Sequence, residues 1–220
     1  MNNKIYKLCN ALFWQYVVVT VIMMLLYSAG NRYAPELSHY VWDQNYLSDL
    51  GRSVSFAGVD NPAYIFYSLT LGLVGVGILL FFILIFSTIS SAFKYLVLFL
   101  AMVSAIGYIG IAFYPVNENI GRHIMFGRLA YFSFFFTTVV TQILLDGNRY
   151  KTANTLFYVL NIMLFLYLLL MLFGPSSSVG EWALQLKTIT QKLMVYSQIF
   201  LSMGILKFFH KIEFYSKAQL

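Results

Sequence analysis

Six long apolar runs follow one another along the chain, and almost every charged residue lies between them or at their ends. A bilayer crossing takes about 20 apolar residues. The runs therefore predict membrane-spanning helices over residues 11–29, 63–86, 94–114, 123–145, 155–173 and 188–209. Gly30-Asn31 closes the first run. Asp60-Asn61-Pro62 opens the second, with the proline suited to a first helical turn and Asn61 or Asp60 as its cap. Ser87–Ser91 makes the next turn, and Pro115 ends the third run because the residue before a proline avoids helical geometry. Asn117–Arg122 form a tight polar loop, Asp146-Gly147-Asn148 break the fourth run, and Gly174-Pro175 end the fifth. Ser178 and Glu181 have capping-box spacing, so the last helix is expected to begin before its apolar part. Small residues at Ser68, Gly72, Gly75, Gly107 and Gly110 offer faces for close helix approach. The pattern is that of an all-α, polytopic membrane helix bundle, one domain over 1–220 with six transmembrane helices. The first run is longer than a signal-peptide core and no small-x-small cleavage site follows it, so it reads as a retained span.

One polar stretch breaks the monotony: NYLSDLGRSVSFAGVDNP, residues 45–62, within the long loop 31–62. Asp49 and Asp60 lie in it and Asp43 just before it. Composition sets the solvent for the remainder. The chain is 60% hydrophobic and 10% charged, whereas soluble domains carry about a quarter charged residues. Lipid must take up that apolar surface. The net charge of +6 comes from bases at the ends of apolar runs, which is the pattern of membrane orientation and not a nucleic-acid stripe. With the N-terminus inside, Lys4, Lys7, Lys94, Arg149, Lys151, Lys207, Lys211 and Lys217 lie inside, against Arg32, Arg52, Arg122 and Lys187 outside. Both termini are thus expected to be cytoplasmic and loop 31–62 to face outward. Cys9 is the single cysteine, which excludes an internal disulfide and a thiolate metal cluster; it reads as an inert thiol, with palmitoylation as the alternative.

Polar groups inside spans are the informative ones, since a charge at mid-membrane costs a few kcal/mol. His123, Gly127, Arg128, Tyr131, Thr138, Thr141 and Gln142 share one face of the fourth helix, which should point into the bundle. Thr188, Gln191, Lys192, Gln198 and Ser202 form a looser counterpart on the sixth. Arg128 and Lys192 both sit near the outer end, close to the carboxylates of Asp49, Asp60, Glu118 and Glu181. Three readings follow, one of them a proton path running deeper along Gln142 and Gln198, for which no acid lies mid-span. The charges pair and fix loop against bundle, or Arg128, Lys192 and Arg52 form a niche for a lipid phosphate. His123 is either an interfacial residue or an acid/base group oriented by Asp49. Ser48 is either a nucleophile, without the Gly-x-Ser-x-Gly setting, or a cap for a short loop helix. His39 and His123 fall outside and His210 inside with no metal-ligand spacing, so neither metal nor other cofactor is expected.

The segment Leu47-Ser48-Asp49-Leu50-Gly51, then Asn61-Pro62 leading into a helix with Phe66, then Tyr114-Pro115 and His123 opening the fourth span, resembles a family pattern. It is similar to prokaryotic membrane proteins catalogued as domain of unknown function 998. In those a Ser-Asp-Leu-Gly segment precedes span two, and a Phe-Pro turn and a His precede span four; here Tyr114 stands for the phenylalanine. More distantly it looks like the eukaryotic DRAM/Frag-type proteins, which carry a similar Ser-Asp-x-Gly segment, a later Pro and a His. The likeness covers roughly 45–135; the last two spans agree only in being spans. The resemblance implies a six-span bundle in a bacterial or archaeal plasma (inner) membrane, with Ser48, Asp49, Gly51 and His123 as motif residues, and for some of the wider group a link to remodelling of lipid anchors.

Three functions compete. A lipid-active protein would bind or remodel a head group using Asp49, His123 and Ser48 with Arg128, Lys192 and Arg52. A scaffold or accessory subunit would dock a protein partner through loop 31–62, with Trp42, Tyr46 and Phe56 as anchors. A small transporter would need a wet path, yet Gln142 and Gln198 are the deepest polar groups of otherwise apolar inner halves.

Overall fold

The computed structural model describes residues 2–27 and 30–218, with side chains as far as Ile212. Ser28 and Ala29, the expected end of the first span, and the Lys217 side chain, which enters the orientation argument, lie outside the described residues. The elements are α1 (Asn3–Leu26), α2 (Ala63–Phe86), α3 (Lys94–Phe113), α4 (Ile120–Leu144), α5 (Lys151–Phe173) and α6 (Glu181–Ala218), with one 3₁₀ turn at Leu47–Gly51. Among the described residues all six α-helices are long and apolar enough to cross a bilayer, and there is no strand, only a single bridge between Val54 and Asp60. This is an integral membrane helix bundle.

α2 and α3 follow the apolar runs closely, but four helices begin before theirs. α1 starts eight residues early, capped by Asn2, whose side chain accepts from the backbone N–H groups of Lys4 and Ile5. Asn119 caps α4 in the same way through Arg122 N–H, at 3.0 Å. α5 and α6 take in polar first turns, from Lys151 and Glu181. Apolar counting measures the hydrocarbon core, whereas helix length is set by where the chain next finds a cap. The expected Ser178–Glu181 capping box does not form. Ser178 Oγ instead bonds Ser176 Oγ at 2.8 Å, and the Glu181 carboxylate accepts from Gln44 Nε2. α2 is capped as expected, Asn61 Oδ1 accepting from Ala63 N–H at 3.2 Å.

The helices pack in chain order, and α6 closes the ring on α1 and α2. α3 and α4 meet where the backbones touch: a Cβ added at Gly107 would overlap the backbone of Ala130, and Ser104 Oγ donates to Ala130 O at 3.0 Å. Across the middle run phenylalanines from four helices. Phe13, Phe82 and Phe157 lie 6.5, 4.7 and 6.4 Å from Phe81, and Phe82 lies 5.9 Å from Phe134. Asn161 of α5 ties to α4, accepting from Thr138 and donating to Gln142, each at 2.6 Å.

Residues 30–62 form a flap over the other end. Its irregular backbone is satisfied by its own amides: Asn45 Nδ2 donates to Gly30 O at 2.8 Å, and Asn61 Nδ2 to Leu50 O and Arg52 O at 3.0 and 2.8 Å. Its own Leu47 and Leu50 are buried. α6 holds one side of the flap. Gln191 Oε1 accepts from Leu47 N–H at 2.9 Å, Gln185 donates to the Asp43 carboxylate at 3.0 Å, and Thr188 Oγ1 and Lys192 Nζ donate to the carbonyls of Asp43 and Asn45. The α3–α4 turn holds the other side, where Asn117 bonds Ser53 backbone and side chain at 3.0 and 2.9 Å.

Candidate functional site

Between the flap, α4, α5 and α6 lies a cavity of about 430 Å³, within the usual size range of ligand sites. Its wall carries four cations: Arg32 and Arg52 from the flap, Arg128 from α4 and Lys187 from α6. The one carboxylate in its wall is Asp49. Tyrosines 16, 67, 108, 131 and 167 line its depth, and aliphatic side chains line the flank between α4 and α5. Its wall is thus cationic in part, phenolic in part and aliphatic on one flank.

Of the residues that the sequence offered as candidates, the fold brings Ser48, Asp49, Arg52, His123 and Arg128 into the one wall. Arg128 makes no hydrogen bond or ion pair with any described residue, and part of its side chain is exposed. Its guanidinium therefore keeps its donors for something other than the bundle. Arg52 is more constrained: Nε donates to Val54 O at 3.2 Å and the guanidinium lies 4.0 Å above the Phe56 ring. Arg32 donates to Ser177 Oγ at 3.1 Å.

Lys192 is placed elsewhere. It is fully buried, is not in the cavity wall, and donates to Asn45 O with the rings of Tyr40 and Trp42 at 5.3 and 5.4 Å. Helical geometry explains the split. Lys187 and Gln191 are one turn apart on the face of α6 turned to the cavity, and Thr188 and Lys192, each one residue further on, occupy the adjacent face that grips the flap. Lys192 thus belongs to the fastening, and the cavity's lysine is Lys187.

Asp49 does not orient His123. Asp49 Oδ2 accepts from Tyr46 N–H at 2.8 Å and from Asn45 Nδ2 at 3.4 Å, capping its own 3₁₀ turn. The cap expected of Ser48 is therefore supplied by Asp49. Burial pushes the Asp49 carboxyl up to about 6, against the opposing pull of the Tyr46 N–H, Arg52, Asn45 and Lys192. The His123 ring is fixed by a backbone carbonyl, with Nδ1 2.8 Å from Tyr114 O. A carbonyl only accepts, so Nδ1 carries the proton and Nε2 is the nitrogen left for the cavity. Ser48 lines the cavity but has no hydrogen bond to either group among the described residues. Among the described residues Ser48, Asp49 and His123 thus make no nucleophile–base contact with one another.

Arg32, Lys187 and the floor tyrosines other than Tyr131 were not candidates from the sequence. The signal for Lys187 was present, as Leu184, Lys187, Gln191 and Val195 recur at helical spacing on one face of α6. The tyrosines come from separate helices, and their convergence is a tertiary fact. Among the described residues no group of three or more His, Cys, Asp or Glu side chains could hold a metal ion.

Fold and site together define a multi-pass membrane protein with a cationic cavity at one end of its bundle. No family model, curated protein or solved structure matches the chain.

Proposed function

We propose that the cavity binds the phosphate-bearing head group of a membrane amphiphile. The observation that carries this is charge imbalance in a confined space: Arg32, Arg52, Arg128 and Lys187 face one carboxylate, and Arg128 makes no hydrogen bond or ion pair among the described residues. Guanidinium groups match phosphate oxygens in fork geometry, and such charge-assisted bonds are about twice as strong as neutral ones. The phenols of the floor offer hydroxyls to the polar part of a head group. Three of the motif residues behind the resemblance to domain of unknown function 998 proteins, Ser48, Asp49 and His123, line this same cavity, which supports the reading. In a bacterial or archaeal plasma membrane the ligand would be a phospholipid or glycolipid. A remodelling activity would draw on His123 Nε2 as proton acceptor, with the cations steadying negative charge.

The competing functions have less support. Of the loop aromatics offered to a protein partner, Phe56 lies beneath Arg52, Tyr46 lines the cavity and Trp42 faces Lys192. A transporter would need the cavity to continue past the phenylalanine layer of Phe81, Phe82, Phe134 and Phe157, all fully buried.

The test compares dioctanoyl phosphatidylglycerol with dioctanoylglycerol, which lacks the phosphate, on detergent-purified protein. Wild type should prefer the phosphate form. Arg128→Gln should weaken that binding roughly 10- to 100-fold, the worth of a hydrogen bond to a charged group, with an unchanged thermal midpoint. Equal affinity for both ligands, or an Arg128→Gln variant that binds like wild type, refutes the proposal.

A further inference from the structure

The end of the bundle opposite the flap carries a second hollow, between α1 and α6. The two helices run antiparallel and touch at three levels. Tyr6 and His210 stack at 4.2 Å, Trp14 meets Phe200 edge-on at 5.9 Å, and the hydroxyls of Thr20 and Tyr196 lie 3.0 Å apart. Between the first two contacts the lining residues are Asn10, Met203 and Gly204, and the helices leave a space of about 430 Å³. Asn10 Nδ2 donates to Tyr6 O at 2.9 Å, which holds that amide against its own helix. Lys7 and Lys207 line the space, one from each helix. Both are exposed, and neither makes a hydrogen bond, ion pair or ring contact with any described residue. No carboxylate of a described residue lines it.

The wall is graded with depth. Trp14 and Phe200 each lie seven residues from the lysine of their own helix, on the same face and about 10 Å nearer mid-bilayer. They are 50% and 47% exposed, and Val18 and Leu193, exposed as well, continue the two stripes. From the end of the bundle inward the order is therefore cation, aromatic ring, aliphatic side chain.

We propose that this hollow binds an anionic phospholipid of the leaflet opposite the flap. Its phosphate would sit between Lys7 and Lys207, and its acyl chains would run along Trp14 and Phe200 toward Val18 and Leu193. The lipid then stands as it does in that leaflet, head group at the end of the bundle and chains toward the mid-plane. Charge complementarity selects this occupant. Bases at a membrane end account for each lysine singly, but two of them lining one acid-free gap beside exposed rings suit one anion on an apolar tail. A second copy packed through the same face would instead set lysine against lysine. The site is separate from the flap cavity and does not depend on it.

The test reads Trp14. In a protein carrying Trp42→Phe and Trp182→Phe it is the sole tryptophan, and bromine on an acyl chain quenches it on contact. Phosphatidylcholine vesicles receive brominated phosphatidylglycerol or brominated phosphatidylcholine at equal mole fraction. The local affinity should favour phosphatidylglycerol roughly 5- to 30-fold, the worth of one to two lysines beside an anionic lipid. Lys7→Gln with Lys207→Gln should abolish the preference. Lys151→Gln, which removes a base from the same end on α5, should stay within twofold of the parent. Equal quenching by both lipids in the parent, an unchanged preference in the double variant, or an equal loss in Lys151→Gln overturns the proposal. A Trp14 that neither lipid quenches also overturns it, and elution as a dimer would then name a second copy as the cover. Should the double variant not fold, the two lipids compared on the parent protein decide the matter. Arg128→Gln, at the other end, should leave the quenching as in the parent, and a loss there overturns the assignment to Lys7 and Lys207.

Discussion

Replacing Asp49 by asparagine isolates the cost of keeping a carboxylate under the flap. The group is 4% exposed and burial raises it from 3.8 to about 6. A raised value means that the native state holds the proton more tightly than the unfolded chain does. The stabilisation is therefore complete below about 3.8, and it is lost as pH climbs through about 6. Between pH 7.5 and pH 4.5 the wild type should gain about 2 kcal/mol from this group alone. For a chain of this size that is roughly 4–8 °C in thermal midpoint. The amide of the Asp49→Asn variant keeps an oxygen for the Tyr46 N–H but does not titrate, and every other acid is common to both proteins. The difference in midpoint, wild type minus Asp49→Asn, isolates this one carboxyl. Tryptophan fluorescence melts in one detergent, at half-unit steps of pH, would measure it. The wild type should rise relative to the variant on acidification, with its inflection near pH 6. Parallel curves, or a wild type that falls relative to the variant, would show that Asp49 is not held in a desolvated site.

Two further outcomes test the frame around it. Gly107→Leu drives a side chain into the Ala130 backbone, an overpacking that costs about 1–3 kcal/mol. A fluorogenic thiol dye at neutral pH reads it, since Cys9 is fully buried and becomes reactive on unfolding; the midpoint should drop by several degrees, and an unchanged midpoint counts against the α3–α4 contact. Ser38→Cys places a thiol at an exposed position of the flap. A membrane-impermeant maleimide should label it on intact cells, and labelling only after lysis would reverse the orientation drawn from Lys and Arg placement.

How much of this was legible in the chain follows from what periodicity can see. Hydrophobic runs register the stretch of helix that touches lipid, which is why α2 and α3 were bounded almost to the residue. The polar first turns of α1, α5 and α6 fell outside that signal. The α4 wheel correctly joined His123, Arg128 and Tyr131, because residues on one helix share a rigid frame. Gln191 and Lys192 do share the α6 face that holds the flap, but adjacent residues on a helix point about 100° apart, and only Gln191 also reaches the cavity. The Asp49–His123 pairing failed for another reason. A carboxylate three residues into a short turn finds the backbone N–H of Tyr46 first, and local partners are entropically cheaper than distant ones. The floor of tyrosines had no one-dimensional signature, since Tyr16, Tyr67, Tyr131 and Tyr167 come from four separate helices.

The bond from His123 to the Tyr114 carbonyl has a wider implication. Tying one ring nitrogen to the turn that precedes α4 leaves the imidazole with a single working edge. When the ring is neutral that edge accepts a hydrogen bond, and when it is charged it donates one. A change of one proton would thus turn the edge from acceptor to donor without moving any backbone, and the turn at Tyr114-Pro115 sets its aim in both states.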